Sequence, residues 1–133
     1  MNEIKIMIPI NPVTKKNHSS IITNKTTKRP MLIPSKQYAQ YQKDCGHFIK
    51  YKNANIDKPL NIKCVYFMNT HRRVDLTNLL GATMDMLVYH KVIADDNCRI
   101  AVSHDGSRVY YDKLAPRTEI IITLAEKSEY DEV

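Results

Sequence analysis

The spacing of apolar residues changes period along this chain, and that change restricts it to a mixed fold. From Glu3 to Ile10 the residues Ile4, Ile6, Ile8 and Ile10 alternate with other positions, the period of a strand with one buried face. Asn11-Pro12 ends that run, and VTKKNHSS follows as a polar, basic loop. After Pro34, with Ser35 as N-cap, Tyr38, Tyr41, Cys45, Phe48 and Ile49 recur at helical spacing through KQYAQYQKDCGHFIKYK. LNIKCVYFMN, from Leu60 to Asn69, is rich in β-branched and aromatic residues and reads as a central strand. A second helix is expected from about Leu76 to Lys91, burying Leu76, Leu79, Leu80, Thr83, Met84 and Leu87. CRIAVSHDGSRVYYD is expected to form a hairpin around Asp105-Gly106, and TEIIITLA to close the sheet. IITNKTTKRPMLIP is compatible with a loose hairpin and with a long loop. This order predicts an α+β fold: one domain over residues 1–125, a mixed β-sheet with two helices packed on one face. The acidic end, residues 126–133, is expected to be a disordered tail.

A chain of 133 residues supports one modest core. No apolar run approaches the roughly 20 residues that span a bilayer, and MNEIKIMIPI lacks the pattern of a signal peptide. A cytoplasmic protein without a membrane partner is therefore expected. Cys45, Cys64 and Cys98 are too dispersed for a disulfide framework or a zinc cluster. Charge is distributed unevenly. Residues 1–58 hold eleven lysines and arginines against three acids, whereas residues 126–133 hold one lysine against four acids. A basic front half points to a polyanion partner, nucleic acid above all.

The stretch RRVDLTNLLGATMDMLVYHKVIADD, Arg72 to Asp96, concentrates the chemistry. Asp75 opens the second helix, and Asp95-Asp96 follow it. Two adjacent acids repel each other, and a helix C-terminus disfavours negative charge, so the pair calls for an explanation. Magnesium-assisted phosphodiester hydrolysis provides one. Mg²⁺ takes hard oxygen ligands and keeps several waters, so two or three carboxylates within a basic surround suffice. Arg72, Arg73, Lys15 and Lys16 supply that surround. A helix of about 16 residues is roughly 24 Å long, so its ends share an ion only if the chain turns back or a second protomer contributes. The plainer alternatives are an N-cap at Asp75 and a polar turn at Asp95-Asp96-Asn97. Asp75, Asn78, Ala82 and Asp85 fall on one stripe of the helix. Gly81, costly in mid-helix, suggests close approach of another surface or drift at a tolerant site.

VDLTNLLGATMDML followed by VIADDNCRI resembles the RusA family of Holliday-junction resolvases over about residues 72–102, and NPVTKKN resembles that family's early loop. The resemblance implies a RusA-like fold and a Mg²⁺-dependent, homodimeric endodeoxyribonuclease that nicks four-way DNA junctions symmetrically in recombination and repair. It also implies phage or prophage origin. Carried over by position, Asp75 and Asp96 would be catalytic and metal-binding, with Asp95 catalytic beside them. Asn78, Thr77 and Asp85 would support the site, and Lys15, Lys16, Asn17, Arg72 and Arg73 would hold DNA. Two positions depart from the family pattern. Thr77 stands where a second aspartate is usual, and Gly81 where a lysine is common. Thr77 offers a hydroxyl without the charge that attracts Mg²⁺, so the alternative is a catalytically weakened branched-DNA-binding protein of the same fold.

Overall fold

The structure is a computed structural model that describes residues 3–14, 19–23, 25–34 and 36–126, with side chains described outside 19–23 and 30–34. Lys15, Lys16, Asn17, Ser35 and most of the acidic tail lie outside the described residues. The main sheet begins with β1 (Ile4–Ile8), which pairs antiparallel with β7 (Arg117–Leu124), which in turn pairs antiparallel with β4 (Leu60–Met68). Two short strands, β5 (Ala101–Ser103) and β6 (Arg108–Tyr111), both lie parallel to β4 along its other edge. The sheet is thus mixed, and β4 and β7 are its interior strands. The segment left open between hairpin and loop is an antiparallel ribbon of β2 (Ser19–Thr23) and β3 (Pro30–Pro34).

Alternation fixes which face of the sheet is buried. Ile4, Ile6 and Ile8 of β1, Leu60, Ile62, Cys64 and Tyr66 of β4, and Thr118, Ile120 and Ile122 of β7 all point inward. Burying each large aliphatic side chain contributes about 1.5–3 kcal/mol. Two helices cover this face, α1 (Lys36–Cys45) and α2 (Leu76–Tyr89). From α1, Tyr41 and Cys45 enter the same core as Leu79, Met84 and Leu87 of α2. The Tyr38 hydroxyl donates to the Ala82 carbonyl at 3.5 Å. Beneath α2, the Tyr66 hydroxyl lies 2.7 Å from Thr83 Oγ1, which itself donates to the Leu79 carbonyl at 3.0 Å. Threonine at position 83 therefore joins helix to sheet without leaving a buried hydroxyl unpaired. The α+β architecture with both helices over one face is as the sequence implied.

Both helices end earlier than their patterns suggested. α1 stops at Cys45 and gives way to a 3-10 turn, Gly46–Phe48, which leaves Phe48 43% exposed instead of in the core. His90, just past α2, explains the stop. Its Nε2 donates to the carbonyl of Gln42 at 2.7 Å, satisfying one of the carbonyls a helix end leaves open. A Cβ on Gly46 would lie 2.5 Å from His90 Cε1, so glycine is what lets the imidazole in. α2 itself ends at Tyr89 with Lys91 in the left-handed region, φ 54°. Val92 N–H then bonds to Leu87 O and Lys91 N–H to Val88 O, a Schellman closure.

Gly81 serves no close approach among the described residues. It is exposed on α2, and a Cβ there would meet nothing within 4 Å. Alanine at an exposed mid-helix glycine gains roughly 0.5–1 kcal/mol from backbone entropy. Gly81→Ala is accordingly expected to raise the midpoint of chemical denaturation with an unchanged slope; a lowered midpoint would mean that another surface occupies the space.

The expected β5–β6 hairpin is absent, although its turn is present. Ser107 N–H bonds to His104 O at 3.1 Å, closing a turn through Asp105-Gly106. Only Gly106 has positive φ, 89°, so the turn lacks the geometry of two-residue hairpin loops, in which the first central residue is also left-handed or is itself the glycine. The chain juts out and then resumes its direction along β4. Side chains fill the gap in the ladder. Asn61 Oδ1 accepts from Ser103 Oγ and from Asp105 N–H, and Ser107 Oγ accepts from Cys64 N–H.

Candidate active site and nucleic-acid interface

The last residue of β4, Met68, leads through Asn69-Thr70-His71-Arg72-Arg73-Val74 into α2. This connection forms one wall of a cleft of about 460 Å³, and Asn11, Pro12, Val13 and Thr14 form the other. Asn11 Oδ1 accepts from Asn69 N–H at 3.0 Å and ties the two walls together. The early loop and the arginine pair, 58 positions apart from Asn11 to Asn69, thus line the same cleft. Val74 is half-buried and packs on the core, while Arg72 and Arg73 are exposed. Anchored backbone with free guanidinium groups suits phosphate binding.

Asp75 follows directly. It occupies the N-cap position of α2, with φ −83° and ψ 125°, but its side chain makes no cap hydrogen bond. Its carbonyl instead receives Leu79 N–H at 3.2 Å. The exposed carboxylate receives the Asn78 side-chain amide at 3.3 Å. Asparagine at position 78 thus orients the acid, and the acid is not consumed in holding the helix together. Thr77, two residues on, is also exposed. Asp85 lies about 15 Å further along the helix at 1.5 Å per residue. There it is half-buried and faces Tyr38, whose hydroxyl is pushed up to about 12 by burial first and by the Asp85 charge second.

Asp95 and Asp96 sit elsewhere. They lie between Ile93, which bridges to Ile56, and Ile100, whose carbonyl accepts Leu60 N–H at 2.8 Å. That is the start of β4, whereas Asp75 lies beyond its end. α2, 14 residues and about 21 Å long, runs between the two positions. The expected strain at the acid pair is also missing. The Asn97 amide, at 2.9 Å, and the backbone N–H of Asp96 hold the Asp95 carboxyl below its ordinary range. Asn97 Oδ1 also accepts Arg99 N–H at 2.9 Å. The pair lies past the last turn of α2, where the helix dipole has faded.

The chain does turn back, through β5 and β6, but it delivers a different acid. Asp112 N–H bonds to Met68 O at 2.8 Å, beside the cleft. Its carboxylate is already engaged, since Arg117 donates to it at 2.9 Å and Leu114 and Ala115 N–H bond to it as well. Those bonds hold it below the usual carboxylate range. Among the described residues no three His, Cys, Asp or Glu side chains converge to hold a metal. The donors Asp75, Asp95 and Asp96 have the hard-oxygen chemistry Mg²⁺ prefers, but one chain holds them at two ends of a helix.

Sequence reasoning overlooked the aromatic groups at this end of the sheet. Phe67 stacks on Tyr110 with ring centroids 5.4 Å apart, and the Arg117 guanidinium lies 3.7 Å above the Phe67 ring centre. His71 stacks on Tyr111 at 3.6 Å. Tyr38 and Tyr41, by contrast, are buried in the core as expected. Cys45 and Cys64 are buried free thiols, Cys98 is an exposed one, and no helix among the described residues is long and apolar enough to cross a membrane.

No curated protein matches the chain. The family model described as Endodeoxyribonuclease RusA matches residues 9–123, a span that runs from the cleft loop through the last strand. With cleft, arginines and uncapped aspartate all inside that span, the chain belongs to the endodeoxyribonuclease RusA family, endonucleases that resolve Holliday junctions.

Proposed function

We propose that this protein is a Mg²⁺-dependent, homodimeric endonuclease that cuts four-way DNA junctions symmetrically, in the branched-DNA processing of a phage or prophage. The observation that carries the reading is Asp75: an exposed carboxylate at a helix N-terminus, free of capping duty, beside the Arg72–Arg73 cleft. Because Asp75 and Asp95-Asp96 occupy opposite ends of α2, the reading assigns each site to two chains. A two-fold axis that sets the start of one α2 beside the end of its partner's would unite Asp75 of one protomer with Asp96, and Asp95 near it, of the other. The two-fold symmetry of a closed dimer suits two cuts in a four-way junction. Mg²⁺ so held would stabilise charge on the phosphoryl oxygens and help activate water. Asn78 would keep the Asp75 carboxylate oriented, and Arg72 and Arg73, with Lys15, Lys16 and Asn17, which follow Thr14 in the sequence, would hold flanking phosphates.

A second reading, a branched-DNA-binding protein with weakened catalysis, draws on Thr77, an exposed hydroxyl without charge next to the candidate site. The two separate in one assay: a labelled junction and a matched duplex incubated with the protein, with Mg²⁺ and with EDTA. Cleavage of the junction that EDTA abolishes supports the enzyme; tight junction binding without cleavage supports the second reading. The arginines have their own signature. Arg72→Ala and Arg73→Ala are each expected to lower the slope of log affinity against log salt by about one unit. An unchanged slope in titrations from low to moderate salt would remove them from the phosphate contacts.

A further inference from the structure

The face of the sheet opposite the helices ends in a stack that is complete on one side and open on the other. Register places Arg117 of β7, Phe67 of β4 and Tyr110 of β6 in one row across three neighbouring strands. The guanidinium covers one side of Phe67, and Tyr110 stacks beside it with the rings inclined by 21°. β6 is the edge of the sheet here, and Tyr110 is 49% exposed. The stack therefore finishes on an aromatic ring that no further strand among the described residues covers. Arg117 is fixed by Asp112 and Glu119, at 2.9 and 2.8 Å, which braces the row from behind.

Charge around the open end favours an anionic partner with flat, stackable groups. Arg108, two residues before Tyr110 on the same face of β6, is exposed. On the other side of the same edge, Tyr111 is 43% exposed and backed by His71, which precedes Arg72 and Arg73 in the chain. An edge that presents two rings between arginines combines the stacking surface and the cations that unpaired nucleic acid uses.

We propose that the β6 edge is a base-stacking site: an unpaired DNA base continues the Arg117–Phe67–Tyr110 stack, with Arg108 contacting its phosphate. The proposal rests on the reading of the protein as a branched-DNA enzyme and adds how it would distinguish a branch point from duplex. Bases at a branch point can leave the helical stack, whereas those of intact duplex cannot without an unstacking cost.

The test measures affinity of the full-length protein for three fluorescein-labelled DNAs: a four-way junction, an oligo(dT) strand and a matched duplex. Tyr110→Ala is expected to weaken junction and oligo(dT) binding by roughly 5- to 150-fold, the equivalent of one stacked base. Duplex affinity and salt slope should stay as in the wild type, and Tyr110→Phe, which keeps the ring, should bind like wild type throughout. Three results would overturn the proposal: Tyr110→Ala binding junction and oligo(dT) normally, equal losses on all three DNAs, or a change in sedimenting mass that makes this edge a contact between copies. If the wild type binds none of the three DNAs, the proposed function falls along with it; if only the Tyr110 effect is absent, this inference alone falls.

Discussion

Replacement of Asp75 by asparagine is expected to reduce Mg²⁺-dependent junction cleavage by roughly 10³-fold or more while leaving fold and DNA binding intact. The size follows from losing a ligand to an ion that supplies several kcal/mol of transition-state stabilisation. The selectivity follows from the local geometry. Asp75 holds the N-cap position without a side-chain cap bond, and asparagine ranks with aspartate at that position, so the thermal midpoint should not move. Its Oδ1 still accepts the Asn78 amide. Removing a negative charge beside Arg72 and Arg73 leaves affinity for the phosphates unchanged or slightly higher. A loss of thermal stability in step with the loss of cleavage would instead show Asp75 to be a structural cap.

Asp96→Asn is expected to be as severe, and the combination of the two variants tells where each site is built. Consider equal amounts of Asp75→Asn and Asp96→Asn protein, mixed and allowed to exchange subunits. If each site draws Asp75 from one protomer and Asp96 from its partner, every mixed dimer carries one site with both acids lost and one with both intact. Mixed dimers make up about half of a random mixture, so about a quarter of the wild-type sites return. With a single live site, the product should be junctions nicked on one strand, without the paired nicks of resolution. Sites built within one chain give no recovery, since every protomer then lacks an acid. The placement of the two acids at opposite ends of α2, itself about 21 Å long, predicts recovery.

Much of the fold was legible because burial on one face imposes period 2 on strands and near 3.6 on helices. Ile4, Ile6 and Ile8 alternate against the core, and Leu79, Thr83 and Leu87 line the inner side of α2 as their spacing required. Helix ends were less legible, because they were decided by residues far away in sequence. Nothing local to Gly46 announces that His90 will occupy the space a Cβ would take. The β5–β6 segment shows the same limit. Asp105-Gly106 signals a turn correctly, but whether a chain reverses or jogs depends on φ at Asp105 and on Asn61 bridging the gap.

The candidate site's residue types stand out in the sequence, but their arrangement does not. That Arg72, Arg73 and the Asn-Pro-Val-Thr loop share a cleft emerges only from the fold. The repulsion and dipole arguments about Asp95-Asp96 lose force once Asn97 is seen to stabilise Asp95 and the pair to lie beyond the last turn of α2. The aromatic row across β7, β4 and β6 went unseen for another reason. Arg117, Phe67 and Tyr110 are neighbours only through strand register, which single-sequence patterns do not specify.

The most direct test of the proposed enzyme uses a four-way junction labelled on two opposing strands, mixed with wild-type protein and Mg²⁺ and followed in time. Nicks at symmetric positions in both strands, absent with EDTA and absent on duplex, are the predicted result. A junction that is bound but remains intact over the same Mg²⁺ concentrations would contradict the assignment of a working, metal-dependent endonuclease.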